Sequence, residues 1–147
     1  MVTLPSRLFL DTNVFILGFL DPNGPEGRIL QALMDHPDVT LILSDELVTQ
    51  IRRVARRTRG KDWAGYLLNR IWQDYPIEYV MVSVQEKHEL EIQADIPRED
   101  VGIYLTALRG QAECFVSANH ELVQQAAIRQ HLFKCLTPGE FLAKYIE

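Results

Sequence analysis

The chain has 147 residues, 15 Lys+Arg against 20 Asp+Glu, and a formal net charge of -5. That length suits one compact domain spanning residues 1–147, with enough chain to bury a core without staples. A hydrophobic share of 47% with 24% charged residues excludes a disordered chain, and a pI near 5.4 argues against a protein that coats nucleic acid by bulk charge. Two cysteines, Cys114 and Cys135, sit in apolar runs without partners at metal-binding spacing. They read as structural thiols in a reducing compartment, so a cytoplasmic location is expected. No basic stretch with a following apolar run opens the chain, and no segment approaches the roughly 20 apolar residues of a membrane span.

In chain order, the first apolar, β-rich run covers residues 8–11, and helical periodicity follows over 14–20. The turn Pro22-Asn23-Gly24-Pro25 precedes a second helix over 26–34. Residues 39–43 read as the next strand, and Ser44 as the N-cap of a helix running to about Arg57. A helix over 62–75 ends at Pro76, and a strand is expected over 77–84. A short helix over 86–93 precedes Pro97, which stands as a first-turn proline for a helix over 98–109 stopped by Gly110. A strand over 114–117, a helix over 119–130, a strand over 132–136 and a helix over 138–146 complete the pattern. Strands alternating with helices predict an α/β fold with a mostly parallel five-stranded sheet covered on both faces, which suits near-continuous apolar strands such as LFLD and LILS.

Ligands of an open parallel sheet bind at the carboxyl ends of its strands. Asp11 ends the first strand, Ser44-Asp45-Glu46 the second and Ser117-Ala118-Asn119 the fourth, while Asp100 lies in the first turn of the helix feeding the fourth. Asp11, Glu46, Asp100 and Asn119 therefore converge on one edge. Asp45 and Glu99 adjoin two of these acids, which leaves a one-residue choice at each place. Glu46 and Asp100 also suit helix N-termini as capping or dipole-facing acids. An acid at the end of a buried strand is costly without a partner, which makes Asp11 the strongest pointer. Crowded carboxylates call for a cation, and a donor set of oxygens alone favours Mg²⁺ or Mn²⁺. Such an ion activates water and offsets phosphodiester charge in hydrolysis.

The stretch from residue 52 to 61 carries Arg52, Arg53, Arg56, Arg57, Arg59 and Lys61 with no acid among them. On a helix the five arginines fall within one arc of roughly 160°, opposite Leu47, Val48, Ile51, Val54 and Ala55, with Glu46 on the arginine side. A one-sign face of guanidinium groups suits contact with the phosphates of a nucleic-acid backbone, which it would guide toward the acids. Trp63, Tyr66, Leu67 and Leu68 follow it and read either as core or as part of a partner or dimer groove.

Five segments in order resemble the PIN domain family, the metal-dependent nuclease fold of VapC-like toxins. They are Leu8-Phe9-Leu10-Asp11-Thr12-Asn13-Val14-Phe15, Leu43-Ser44-Asp45-Glu46-Leu47, the run from Glu99-Asp100 to Ala107, Cys114-Phe115-Val116-Ser117-Ala118-Asn119-His120-Glu121-Leu122, and Leu136-Thr137-Pro138-Gly139-Glu140-Phe141-Leu142. The resemblance implies a three-layer α/β/α sandwich, a bound Mg²⁺ or Mn²⁺, RNA as substrate, an antitoxin protein as partner and a homodimer. Its implied function is metal-dependent endoribonuclease activity, as in the toxin of a toxin–antitoxin pair. Asp11, Glu46 and Asp100 would hold the ion, with Asn13 and Ser117 orienting ligands. The resemblance departs at Asn119, where the family places an acid. An amide oxygen can ligate Mg²⁺ but adds no negative charge. The alternative is therefore a non-cleaving PIN domain that binds RNA or protein.

Overall fold

The computed structural model describes residues 3–94 and 98–147; side chains of residues 93, 94 and 98–100 also lie outside the description. Five strands, β1 (Arg7–Leu10), β2 (Thr40–Ser44), β3 (Ile77–Val80), β4 (Cys114–Val116) and β5 (Lys134–Leu136), form one all-parallel sheet in the order β3-β2-β1-β4-β5. The helices are α1 (Thr12–Leu20), α2 (Pro25–Met34), α3 (Asp45–Arg59), α4 (Lys61–Asp74), α5 (Val84–Ala94), α6 (Arg98–Arg109), α7 (His120–Arg129) and α8 (Pro138–Tyr145).

The order of strands sets the layers. The chain steps from β1 to β2 to β3 in one direction, then returns across the sheet to β4 and on to β5. Right-handed crossovers place α1 to α4 on one face and α5 to α7 on the other. Helix α8 returns to the first face, where it packs on α2. The α/β/α sandwich follows from this reversal, and the reversal falls between β1 and β4. Leu8, Phe9, Leu10, Leu41, Ile42, Leu43, Cys114, Phe115 and Val116 are all buried, as a sheet covered on both faces requires.

Ser44 caps α3, its hydroxyl accepting from Leu47 N at 3.2 Å. Gly60 joins α3 to α4 at φ +91°, a left-handed setting that favours glycine, and so acts as terminus for both helices. Two strands are shorter than their apolar runs. β3 stops at Val80, paired with Ser44, because its neighbour β2 turns into α3 there. Leu132 stays outside β5 and exposed, because the Gln130 carboxamide oxygen accepts from both Leu132 N (2.7 Å) and Phe133 N (3.0 Å) and holds a turn. Pro97 lies outside the described residues. Cys114 is buried and Cys135 half-buried, and burial pushes their thiols up to about 12 and about 11. No helix among the described residues is long and apolar enough to cross a membrane.

Candidate active site

Asp11 stands where β1 becomes α1, at the carboxyl edge of the sheet and at the switch point between β1 and β4. Its side chain caps α1, Oδ1 accepting from Thr12 N at 2.8 Å. Its Oδ2 accepts from Ser117 Oγ at 2.8 Å and from Asn13 Nδ2 at 3.4 Å. Asn13 reaches across to the end of β4, its Oδ1 accepting from Ala118 N at 2.9 Å and its Nδ2 donating to Ser117 Oγ at 3.2 Å. Asn119 N also donates to Ser117 Oγ at 3.1 Å. Asn13 and Ser117 therefore tie the two strand ends together around one carboxyl group. Burial raises the Asp11 carboxyl above the ordinary carboxylate range, while the hydrogen bonds from Ser117, Thr12 and Asn13 pull the other way.

Asp11 lies in a cleft of about 540 Å³ lined also by Asn13, Gln50, Arg53, Arg57 and Asn119. Its apolar part comes from Ile16, Leu17, Val54, Ile103 and Leu122. Asn119 caps α7, its Oδ1 accepting from Leu122 N at 3.2 Å, so one acceptor site of its amide oxygen already serves the helix.

Glu46 faces a narrow hollow beside this cleft, formed with Ser44, Gln50, Gly102, Ile103 and Thr106. Its carboxylate rests on the bare Cα of Gly102 in α6, where any Cβ would overlap it. Glu46 Oε2 is buried without a hydrogen-bond partner, and Lys87 Nζ of α5 stands 3.6 Å away. Thr106 holds α6 on the sheet here, lying 3.0 Å from the Ser44 hydroxyl and donating to Gly102 O at 2.7 Å. Of the neighbouring pair, Asp45 is exposed, whereas Glu46 is the acid that meets α6. Gln50 and Ile103 line both the cleft and the hollow, and Gln50 Oε1 accepts from Thr12 Oγ1 at 2.8 Å. The side chain of Asp100 lies outside the described residues; its backbone is in the first turn of α6. Among the described residues, no three His, Cys, Asp or Glu side chains gather as a metal-binding group.

The arginines of α3 do not all line the cleft. At 100° per residue, Arg53 and Arg57 fall within roughly 20° of Glu46, while Arg52, Arg56 and Arg59 are turned roughly 80–140° away. Accordingly Arg53 and Arg57 line the cleft, and the Arg59 guanidinium lies over the Trp63 ring, 5.6 Å from its centroid. Leu67 and Leu68 are core, whereas Tyr66 is half exposed. Gln50, Gly102 and Lys87 were not among the residues expected at the site. The spacing Glu46, Gln50, Arg53, Arg57 (i, i+4, i+7, i+11) is the signal that would have found Gln50.

A hard divalent cation suits these residues. The available donors are oxygens, Asp11 is a buried carboxyl whose ionisation is opposed by burial, and Glu46 Oε2 lacks a donor.

The parallel sheet, with a cleft at its switch point that is lined by Asp11, defines an α/β protein with a cavity at the strand ends. A family model described as PIN domain matches residues 7–121, and the chain belongs to the PIN domain family. Among solved structures it is similar to a chain of VapBC2 from Rickettsia felis bound to a DNA fragment from its promoter. That likeness has a TM-score of 0.62 at 16% identity, covering 88% of this chain and 96% of the other. It is also similar to Mycobacterium tuberculosis VapC20, a toxin that cleaves the sarcin-ricin loop, with a TM-score of 0.53 at 12% identity, covering 74% of this chain and 86% of the other. At these identities the likeness is one of fold. A comparison with curated proteins finds no match.

Proposed function

We propose that this PIN domain is a metal-dependent endoribonuclease that hydrolyses RNA phosphodiester bonds. The observation that carries the reading is the charge layout of one cleft. A buried carboxyl group lies at its floor, and two arginines without carboxylate partners among the described residues line it. Acid and guanidinium share the cleft without pairing, which suits a ligand carrying both charges: a cation for the acids and a phosphodiester for the arginines. Asp11, Glu46 and Asp100 would hold Mg²⁺ or Mn²⁺. When bound, that ion supplies water activation and neutralises charge developing on the phosphate. Asn13 and Ser117 aim the Asp11 carboxylate, Arg53 and Arg57 hold the backbone, and Asn119 stands at the cleft as a neutral contact. The fold likeness to VapBC2 and VapC20 supports the further reading of a toxin with an antitoxin partner, and a homodimeric state is part of the same proposal.

The test is cleavage of structured RNAs by the purified protein with Mg²⁺ or Mn²⁺, with EDTA as control. Asp11→Asn, Glu46→Gln and Asp100→Asn are each expected to lose at least about a hundredfold in rate. Cleavage that persists in EDTA or in all three variants overturns the assignment. A wild type that binds but cuts no RNA of a broad set points instead to a non-cleaving binding module, consistent with Asn119 standing where the family places an acid.

The arginine role has its own readout. In Asp11→Asn protein, reversing Arg53 and Arg57 to Glu is expected to weaken RNA binding and to make its salt dependence shallower by about 1.4, at about 0.7 per phosphate contact on a single strand. An unchanged slope removes both residues from the backbone track.

A further inference from the structure

Arg52 and Arg56 are exposed and without carboxylate partners among the described residues. They are turned away from the cleft, so its needs do not explain them. On that flank the edge strand β3 carries Tyr79, and the last turn of α4 carries Trp72. Their rings stack, with centroids 6.0 Å apart and planes at 28°. Trp72 is 46% exposed and Tyr79 42%, and Met81 just beyond is more open still. Burial and then the Asp45 carboxylate raise the Tyr79 phenol, while Arg52 lowers it, which places both charged groups in the ring's surroundings. Tyr79 pairs in register with Leu43 on β2, whose own neighbour is β1. Tyr79 thus lies near the same carboxyl edge as Asp11, two strand spacings or roughly 10 Å across the sheet, and Trp72, in the last turn of the helix that feeds β3, stacks on it from the amino side.

We propose that Trp72 and Tyr79, with Arg52 and Arg56, form a second RNA-contact surface that stacks unpaired bases while the backbone of the same strand crosses α3 to Arg53, Arg57 and the cleft. The inference rests on RNA being the substrate of that cleft. Paired bases offer no free face to a side-chain platform, so the surface selects single-stranded RNA beside the scissile bond. The arginines set phosphates on α3, and Asp45 bounds the surface on its acidic side. Charge complementarity favours this occupant over a second copy of the chain. A two-fold self-contact centred here would bring Arg52 and Arg56 against their own counterparts.

The experiment uses cleavage-disabled Asp11→Asn protein in EDTA with two fluorescein-labelled probes, a ten-nucleotide oligoadenylate and an RNA duplex of equal length. Adding Trp72→Leu and Tyr79→Leu is expected to weaken oligoadenylate binding at least tenfold with an unchanged salt slope and little change for the duplex. Adding Arg52→Gln and Arg56→Gln instead is expected to make the slope shallower by about 1.4. Trp72→Phe, which keeps a ring, is expected to retain most of the affinity, which separates stacking from a folding defect. In a Trp63→Phe background, Trp72 emission is expected to be quenched by oligoadenylate. Undiminished binding by the leucine pair with no quenching overturns the inference, as does a leucine pair whose only effect is to convert a dimer to a monomer in sedimentation. Because these measurements need no cleavage, a wild type that fails to cut with Mn²⁺ leaves the platform standing. A wild type that cuts while the leucine pair binds normally removes only the platform.

Discussion

In EDTA at neutral pH, Asp11→Asn is expected to melt above the wild type. Asp11 is buried, and burial raises its carboxyl above the ordinary range, so the folded state holds this proton more tightly than the unfolded chain does. The stability it contributes is therefore present at low pH and lost as pH rises through the raised value. The charged form is the costly one at neutrality. An asparagine is neutral throughout and nearly the same shape. Its oxygen accepts from Thr12 N. Its amide loses the hydrogen bonds that Ser117 and Asn13 give the carboxylate, because Ser117 Oγ already accepts from Asn13 Nδ2 and Asn119 N, and this loss offsets part of the gain. The expected gain is on the order of 1 kcal/mol, or about 2–4 °C, and it vanishes in acid as wild-type Asp11 takes up its proton. Saturating Mn²⁺ reverses the ranking. A cation at a hundred times its dissociation constant stabilises the wild type by about 2.7 kcal/mol and leaves the variant where it was. Thermal melts at two pH values, with and without Mn²⁺, read all four corners. A variant that melts lower than wild type in EDTA at both pH values would show that the carboxylate serves the α1 cap and the Ser117 contact more than any cation.

This stability–function conflict explains why Asp11 is the most legible residue of the site. An acid closing an apolar strand violates the local pattern, and such a violation needs a partner. The strands and helices were legible for the same kind of reason, since LFLD, LILS and the amphipathic run after Ser44 each agree with their surroundings. Where chain-order reading overshot, the deciding contact came from another element. Residues beyond Val80 are apolar enough for a strand, yet β2 has already turned into α3 and offers them no partner. Leu132 belongs to an apolar run, yet the Gln130 carboxamide holds its amide in a turn. The arginine face is legible as a helical arc, but its division into Arg53 and Arg57 on one side and Arg52 and Arg56 on the other depends on what packs beside α3. Gly102 and Lys87 are illegible in one sequence, because their meaning is contact with Glu46 across many intervening residues.

Gly102→Ala tests that contact, and its interest lies in opposing expectations. In the interior of a helix, alanine is favoured over glycine by about 1 kcal/mol, so helix propensity alone predicts a more stable protein. The added methyl group, however, takes the space of the Glu46 carboxylate. That carboxylate is the free end of a flexible, partly exposed side chain, so it moves at little cost to the fold, and Lys87 stands ready to receive it. The expected variant melts at or slightly above wild type in EDTA, yet binds Mn²⁺ at least tenfold more weakly by calorimetry. Glu46→Asp in the same background shortens the side chain by one methylene, relieves the overlap and is expected to recover part of the lost affinity, a coupling that a double-mutant cycle isolates. Wild-type Mn²⁺ affinity in Gly102→Ala would mean that the position of Glu46 over α6 has no bearing on the ion. A weakened affinity without rescue would place the effect of the methyl group elsewhere in α6, whose first turn carries Asp100.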